Sequence, residues 1–428
     1  MNHRQLLRSL AKKAMITAFG LLCGTSTHAF EVGINMHVRH YPNTGDYYLN
    51  LAKEYGFTSI REDYPWAQVE GPQGKYSLIG NLGKVDAVFA QSEKNFGLSS
   101  MLVLAYTNPL YDKGGYPQSE AAIDAFANYA YWTAKRFKGK VKYYEIWNEW
   151  LVGTGVRGAK NPPSETVFFE LVKKTALAIK KADPDAIVMT GSLNPLKEKD
   201  NAWLDKLLDM DLMHYVDAIS VHPYSYRNPD NEMRKPEGNL AGIDIFEDKL
   251  RKKTGRTIPI YITEMGFPTH IGDGGISGNL AAQNVIKYTL LAKSRDYIKG
   301  IWWYDLIDDG ANDRNREHRF GFISQNLSPK PAATYLKKIS SYVEKFQVVH
   351  YKQSIKGENS IQLSNGEEKA VITWDNKPEE KETNLINRIA GLAKDKKTSD
   401  VTPLLIEDKK NNTIIEEKNG TPTLKISN

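Results

Sequence analysis

The sequence of 428 residues predicts an α/β fold, namely a (β/α)8 TIM barrel with a small C-terminal β-sandwich domain. Eight short apolar segments recur between residues 31 and 309, and amphipathic helical segments separate them. After about residue 341 only short strand-like segments follow. With 41% hydrophobic and 25% charged residues, the composition is that of a soluble globular chain, which excludes a largely disordered or multi-span membrane protein.

Residues 1–29 have the pattern of a secretory signal peptide. Arg4, Arg8, Lys12 and Lys13 precede a short apolar segment, and small residues lead to a cleavage site after Ala29. The apolar segment is too short for a transmembrane helix of ~20 residues, and a buried N-terminal helix is the alternative. We expect a protein exported to the periplasm or secreted, with no membrane span in its mature form.

Cleavage after Ala29 would leave 399 of the 428 residues and remove four basic residues, no acidic residue and the only cysteine. The formal net charge would fall from +6 to +2, so charge gives no argument for nucleic-acid binding. A mature chain without cysteine has no disulfide and no thiol nucleophile. A lipoprotein signal at Cys23 is disfavoured, because Leu22 stands where a small residue is expected.

The predicted barrel strands are rich in Val, Ile, Leu and aromatic residues and are bounded by polar residues, Gly or Pro. They cover residues 32–38, 58–64, 100–106, 143–150, 186–191, 218–224, 258–267 and 300–306. Amphipathic helices are predicted at 121–138, 166–181 and 279–292. A doubly wound open sheet is the alternative fold, but the sequence lacks a Gly-rich phosphate-binding motif.

The domain boundaries follow from the change of pattern near residue 341. We expect the catalytic barrel over residues 30–340 and the β-sandwich over residues 341–428, a plausible size for a compact domain. Its predicted strands are 346–352, 360–363, 370–374, 401–407, 413–416 and 422–426, and a short helix is indicated at 387–393.

The candidate site lies at the carboxyl ends of the strands, because that face of a barrel carries the catalytic residues. The polar, ionisable or aromatic residues there are His37, Arg61, Asp63, Trp66, Asn108, Asn148, Glu149, His222, Tyr224, Glu264, Trp303 and Tyr304. Glu149 and Glu264 end the fourth and seventh strands and can face each other across the barrel mouth. Hydrolysis of a glycosidic bond requires two such carboxyl groups.

The two carboxyl groups need different pKa values, because one must be protonated while the other is ionised. Arg61 would favour the ionised form of one carboxyl group, and aromatic packing would favour the neutral form of the other. The chain contains 8 Trp and 23 Tyr, whose rings can stack on the apolar faces of sugars.

Four segments carry a specific resemblance. Residues 144–150 (YEIWNEW) resemble the Asn-Glu motif of clan A glycoside hydrolases, and residues 260–267 (IYITEMGF) resemble their nucleophile segment. Residues 219–224 (ISVHPY) are similar to their sixth strand, and residues 300–310 (GIWWYDLIDDG) to the end of a family 39-type barrel. The barrel thus resembles a retaining, family 39-like enzyme, similar to bacterial glycosidases that cut Psl-type biofilm exopolysaccharide.

This resemblance implies Glu149 as the general acid/base and Glu264 as the nucleophile, with their carboxyl groups ~5–5.5 Å apart. It also implies site roles for Arg61, Asn148, His222, Tyr224 and Trp303, and the strand-end positions of His37 and Trp66 predict further substrate contacts. Asn148 would bind the sugar 2-hydroxyl, and Trp303 would form the floor of the −1 subsite, with the adjacent Trp302 as the alternative.

The resemblance implies a hydrolase that acts on a polysaccharide, with endo action on bacterial exopolysaccharide or capsule expected. We expect a monomer that needs no cofactor and no metal. The alternatives are a catalytically inactive glycan-binding accessory protein of polysaccharide synthesis or export, and a barrel lyase or isomerase. The latter is disfavoured because the sequence has no evident metal or phosphate site.

Overall fold

A computed structural model describes residues 30–158, 160–355, 357–375, 405–408, 413–418 and 421–426. The predicted signal peptide and the predicted helix at 387–393 lie outside these residues. Within the described part of the chain, no helix has the length and apolar character needed to cross a membrane.

Eight parallel strands form a barrel. They are β1 (Glu31–Asn35), β2 (Ser59–Pro65), β3 (Ser99–Ala105), β4 (Tyr143–Ile146), β5 (Ile187–Met189), β6 (Ile219–Val221), β7 (Ile260–Met265) and β8 (Ile298–Trp303). The hydrogen-bonded order is β5-β4-β3-β2-β1-β8-β7-β6. Isolated parallel bridges, Met189 to Ala218 and Leu193 to Val221, close the sheet between β5 and β6. The predicted TIM barrel is therefore confirmed.

Helices connect the strands. They are α1 (Gly45–Glu54), α2 (Leu82–Phe96), α3 (Glu120–Arg136), α4 (Glu165–Ala182), α5 (Glu198–Asp209), α6 (Asn231–Arg234), α7 (Pro236–Thr254), α8 (Gly278–Lys293) and α9 (Pro331–Lys345). The three predicted helices match α3, α4 and α8 closely. Ser119 and Ser277 cap α3 and α8 by accepting backbone N–H bonds, which explains where these helices begin.

A separate aromatic core fills the interior of the barrel. Trp302 packs there with Tyr143 and Tyr261, and its indole Nε1 donates to the hydroxyl of Ser59 at 3.1 Å. Gly33 on the neighbouring strand makes room for this indole, because a Cβ at that position would lie 2.1 Å from the Trp302 ring. The interior is therefore packed, and the functional groups lie above it at the carboxyl ends of the strands.

The C-terminal region forms one antiparallel sheet. Its strands are β9 (Gln347–Lys352), β10 (Glu358–Ser364), β11 (Lys369–Asp375), β12 (Leu405–Asp408), β13 (Thr413–Lys418) and β14 (Thr421–Ile426), hydrogen-bonded in sequence order. The antiparallel β-structure agrees with the sequence-based prediction. In the described residues, however, it is a single sheet where the two facing sheets of a β-sandwich were expected.

The barrel packs against strands β10 and β11 of this sheet. Ile361, Ile372 and Trp374 are buried in the same hydrophobic cluster as the barrel core. The indole Nε1 of Trp374 donates to the carboxylate of Glu237 in α7 at 2.6 Å, and the amide of Gln353 donates to the Glu237 backbone carbonyl at 2.8 Å.

We expect the change Trp374→Phe to lower the free energy of unfolding by about 1–3 kcal/mol, because the buried Glu237 carboxylate loses a hydrogen-bond donor. Urea denaturation followed by circular dichroism measures this loss. Val349→Ala is the matched control, since Val349 lies on the exposed strand β9 and its change is expected within about 0.5 kcal/mol of the parent. Equal stability of both variants would contradict the predicted attachment of the sheet.

Candidate active site

Glu149 and Glu264 face each other at the carboxyl end of the barrel. Glu264 belongs to β7, and Glu149 follows the end of β4 at Ile146. A carboxylate oxygen of Glu149 lies within 4.8 Å of one of Glu264. Retaining glycosidases hold their two carboxyl groups ~5–5.5 Å apart, whereas inverting enzymes need ~6.5–9.5 Å for a water molecule. The observed spacing fits a double displacement.

A sharp turn after β4 directs Glu149 into the cleft. Trp147 and Glu149 have φ values of 70° and 51°, in the left-handed region that non-glycine residues seldom adopt. The hydroxyl of Ser192 accepts the Glu149 backbone N–H at 3.1 Å, and the buried rings of Trp147 and Trp150 pack 5.1 Å apart. These contacts hold the turn, so β4 ends at Ile146 and does not continue to residue 150 as predicted.

Arg61 lies buried between four acceptors. Its Nε donates to Glu145 at 2.8 Å, and its Nη1 donates to Glu264 at 2.8 Å and to Asn35 at 2.6 Å. Its Nη2 donates to Asn148 at 2.9 Å. Burial alone would lower the pKa of Arg61, but the carboxylates of Glu145 and Glu264 raise it above its ordinary value. Arg61 is therefore a fixed cation that orients Glu264.

The contact with Arg61 also fixes the amide of Asn148. Because Oδ1 of Asn148 accepts from the guanidinium, its Nδ2 is turned the other way, 3.4 Å from the Tyr106 hydroxyl. Both residues line the cleft. An amide N–H is thus directed to where a sugar hydroxyl would bind.

Glu264 is almost fully buried, with 8% of its surface exposed. The hydroxyl of Tyr224 donates to its Oε2 at 3.1 Å, opposite the oxygen held by Arg61. Burial, together with the negative charges of Glu149 and Glu145, raises the pKa of Glu264 above its ordinary value, although the positive charges of His222 and Arg61 oppose this rise. These two cations favour the ionised form that a nucleophile requires.

Glu149 makes its closest contacts with His222 and Thr154. Nδ1 of His222 lies 3.1 Å from Oε1 of Glu149, and the Thr154 hydroxyl donates to Oε2 at 3.0 Å. Burial alone would raise the pKa of Glu149, but the hydrogen bond and charge of His222 lower it to about 2. Burial likewise opposes the charge on His222, while Glu264 and Glu149 raise its pKa. In the free protein the proton therefore belongs to His222, which the sequence did not lead us to expect.

Two tryptophans predicted at the site lie outside the cleft. Trp66 is buried, stacks on Tyr111 with ring centroids 4.9 Å apart, and donates from Nε1 to Glu70 at 2.7 Å. Trp303 is fully buried and packs against Phe267 and Tyr288. Neither ring is therefore placed to contact a substrate.

The alternation of side chains along β8 explains the position of Trp303. Trp302 points into the barrel interior, and Trp303 packs on the opposite side against Tyr288 of α8. Tyr304, directly after the strand, lines the cleft. The ring at the end of β8 that can contact a sugar is thus the tyrosine and neither of the two tryptophans.

His37 does line the cleft, in a second group of titratable side chains. Its Nδ1 lies 2.9 Å from Asp309 and 3.7 Å from the buried Asp305. Burial alone would lower the pKa of His37, but these aspartates raise it to about 10. The three side chains bring possible metal-ligand atoms within 4.8 Å of one another, as do Glu149, His222 and Glu264. The spacing of residues in the sequence could not predict these clusters, because their members, such as His37 and Asp305, are far apart in the chain.

The cleft around these groups has a volume of about 720 Å³. Among the predicted residues, His37, Arg61, Asp63, Asn148, Glu149, His222, Tyr224, Glu264 and Tyr304 line it. Asn108 does not, and its amide instead donates to the Glu70 carbonyl at 2.9 Å. The rings in the lining are Tyr106, Tyr224, Tyr226, Tyr304 and Phe320.

Several contributing residues were missed from the sequence, namely Asn35, Glu145, Thr154, Ser192, Ser220 and Thr263. Glu145 and Thr263 stand within the two segments that resemble catalytic motifs, and strand alternation places them inward. That alternation is the one signal that could have identified them.

Comparison with known families gives an independent result. The family model described as Cellulase (glycosyl hydrolase family 5) matches residues 21–304 of this chain. No curated protein sequence matches the chain.

Solved structures share the fold at low sequence identity. A family 39 glycoside hydrolase from Bacteroides cellulosilyticus WH2 is 22% identical, with a TM-score of 0.66 over 82% of this chain and 72% of its own. GH5_18 from Streptomyces cattleya, in complex with GlcNAc, is 12% identical, with a TM-score of 0.57 over 74% of this chain and 80% of its own. Xylanase 10B from Thermotoga maritima is 15% identical, with a TM-score of 0.54 over 74% and 95%.

Proposed function

We propose a reaction for this protein from one premise: the chain belongs to the Cellulase family, glycosyl hydrolase family 5. It is a glycoside hydrolase of clan A, and its substrate is a carbohydrate. The reaction that we propose is hydrolysis of O-glycosidic bonds in a polysaccharide with net retention. The observation that carries the proposal is the distance between the Glu149 and Glu264 carboxylates, within 4.8 Å.

In the first step of the proposed reaction, Glu149 donates a proton to the glycosidic oxygen as the bond to the anomeric carbon breaks. The Glu264 carboxylate attacks that carbon from the opposite face and forms a glycosyl-enzyme. In the second step, Glu149 removes a proton from water, which attacks the anomeric carbon and releases the Glu264 carboxylate. Two inversions at one carbon give net retention.

The surrounding residues support these roles. Arg61 and Tyr224 each hold one oxygen of Glu264, which fixes the direction of its attack. The Asn148 amide contacts the Tyr106 hydroxyl with one N–H and can direct its second toward the 2-hydroxyl of the bound sugar, a contact that can strengthen in the transition state. Tyr304 lines the cleft, and we assign to it the sugar contact that the sequence predicted for Trp303.

For the substrate, we propose endo action on bacterial exopolysaccharide or capsule. Three observations support it. The cleft is lined by His37, which follows β1, and by Lys197 and Arg227, which follow β5 and β6, so it extends to both sides of the two glutamates. The segment at 300–310 resembles the end of a family 39-type barrel, a layout similar to that of bacterial glycosidases that cut such polymers. The signal-peptide pattern at residues 1–29 supports export to the periplasm or the medium, where such polymers occur.

A panel of bacterial exopolysaccharides, capsules and β-glycans tests the proposal. Endo action predicts an early fall in polymer size, and NMR of the first-formed product gives the anomeric configuration. An inverted product would contradict the assigned mechanism. Binding without turnover, unchanged by Glu149→Gln and Glu264→Gln, would favour the accessory glycan-binding protein.

We expect Glu149→Ala to lower kcat/KM on the polysaccharide by about 10²–10⁴-fold, because the leaving sugar loses its general acid. Azide is expected to restore turnover of an aryl glycoside and to give a glycosyl azide of retained configuration. Azide needs no general base, so it can attack the glycosyl-enzyme without Glu149. Glu264→Ala is the matched control, since azide there replaces the nucleophile and should give the inverted product. The same anomer from both variants would contradict the two assigned roles.

A further inference from the structure

We infer that His222 stores the proton that Glu149 uses as general acid. A buried hydrogen-bonded chain of Glu145, Ser220 and Thr263 positions His222 for this role, because it keeps a hydrogen on Nε2 of the imidazole. The inference rests on the proposed function, in which Glu149 is the acid. It adds a second site for the catalytic proton and assigns positioning roles to three buried residues away from the substrate.

The buried chain begins at Glu145 in β4, which has no exposed surface. Its Oε2 accepts from Nε of Arg61 at 2.8 Å, so it faces the guanidinium as a carboxylate. Its Oε1 accepts from the Ser220 hydroxyl at 2.6 Å and lies 3.2 Å from the Thr263 hydroxyl. The hydroxyl oxygens of Ser220 and Thr263 are 2.6 Å apart. Nε2 of His222 lies 3.0 Å from the Thr263 oxygen.

Counting the hydrogens fixes the direction of these bonds. Ser220 and Thr263 supply one hydroxyl hydrogen each, and the Glu145 carboxylate supplies none. Both contacts of 2.6 Å need a hydrogen, so Ser220 donates to Glu145 and Thr263 donates to Ser220. The Thr263 oxygen then has only lone pairs to offer to His222. Nε2 of His222 must therefore carry the hydrogen in that contact.

The other ring nitrogen of His222 faces the two catalytic carboxyl groups. Nδ1 lies 3.1 Å from Oε1 of Glu149 and 3.5 Å from Oε2 of Glu264. Two lone pairs facing each other across 3.1 Å would repel, so one proton lies between His222 and Glu149. It is on Nδ1 when Glu149 is ionised and on Oε1 when Glu149 is the acid. Arg61 opposes the positive charge of His222, and the Glu145 carboxylate lies behind its Nε2, beyond Thr263.

The transfer is balanced within the pair. The N–H bond at Nδ1 breaks and an O–H bond forms at Oε1 of Glu149, so the imidazolium and carboxylate become a neutral imidazole and a neutral acid. Glu149 then gives this proton to the departing glycosidic oxygen. The proton taken from water in the second step returns to the same pair. His222 and Glu149 thus titrate as one unit with a single exchangeable proton.

NMR of the protein with ¹⁵N-labelled histidine rings tests the stored proton directly, with His222 assigned from the signals missing in His222→Gln. We expect Nε2 of His222 to carry hydrogen throughout the pH range and Nδ1 to lose its proton as the pH rises. A neutral His222 with hydrogen on Nδ1 and none on Nε2 would overturn the inference. Because this measurement needs no substrate, it stands apart from any failure of the proposed activity.

Thr263→Val tests the positioning chain in the reaction. The variant keeps the side-chain shape but removes the acceptor for the Nε2 hydrogen. We expect kcat/KM to fall by about 100-fold and the basic limb of its pH profile to move to lower pH, because the imidazolium loses a stabilising contact. Thr263→Ser, the matched control, keeps the hydroxyl and should restore most of the rate and the parent limb. A lower rate with an unmoved basic limb would show a merely structural role and overturn the assignment.

Discussion

Glu264→Gln is expected to lower kcat/KM by roughly 10⁴-fold or more while the protein remains folded. The amide has the size of the carboxyl group but cannot form the glycosyl-enzyme, and loss of a nucleophile removes most of a covalent mechanism. Arg61 can still donate to the amide oxygen, and the Tyr224 hydroxyl can accept a hydrogen from the amide nitrogen. Initial rates on the best polysaccharide, together with circular dichroism spectra, measure both parts of this expectation.

Glu317→Gln is the matched control for this loss. Glu317 also lines the cleft, but its carboxylate is half exposed and paired with Arg316 at the rim. We expect its rate to stay close to that of the parent. If Glu264→Gln retained more than about one hundredth of the parent rate, the nucleophile would have to be another residue.

Arg61→Met is expected to have the largest effect on stability, lowering the free energy of unfolding by about 3–5 kcal/mol. Its removal leaves two buried carboxylates, Glu145 and Glu264, without their counter-ion. Since Arg61 lowers the pKa of Glu264, its loss raises that pKa further, and the nucleophile then needs a higher pH to ionise. The acidic limb of kcat/KM should therefore move to higher pH, as a rate profile at 25 °C would measure.

The control for Arg61 is Arg316→Met at the rim of the cleft. Its partner Glu317 is half exposed, and such surface pairs contribute only about 0–1 kcal/mol. Urea denaturation of both variants separates the two cases. Equal stability would mean that Arg61 is not the counter-ion of the buried carboxylates.

Much of the fold followed from patterns that act locally. Apolar strand segments and amphipathic helices alternate because each must bury one side against the other, so the barrel and helices α3, α4 and α8 could be identified from the sequence. Glu149 and Glu264 could be located because a carboxylate directly after an apolar strand lies at the functional end of a parallel barrel.

What could not be predicted depends on contacts between distant parts of the chain. An aromatic ring near the end of a strand can either line the cleft or pack in the core beneath it. Trp66 and Trp303 pack in the core, against Tyr111 and Phe267. The protonation of Glu149 is set by His222, which lies 73 positions away in the sequence. The packing of the C-terminal sheet on the barrel depends on contacts such as that between Trp374 of β11 and Glu237 of α7.

The closure of the barrel between β5 and β6 has a consequence for the catalytic groups. These two strands have only three residues each and are joined by isolated bridges, whereas β2 and β3 pair along seven residues. One of those bridges, Leu193 to Val221, directly adjoins Ser192 and His222. Because only isolated bridges join these strands, we expect the barrel to open locally at this seam first, which would separate Glu149 from Ser192 and His222 before the remaining strands part. A sugar chain bound across the seam would stabilise the closed barrel, since it would bind the closed form more tightly than the open one.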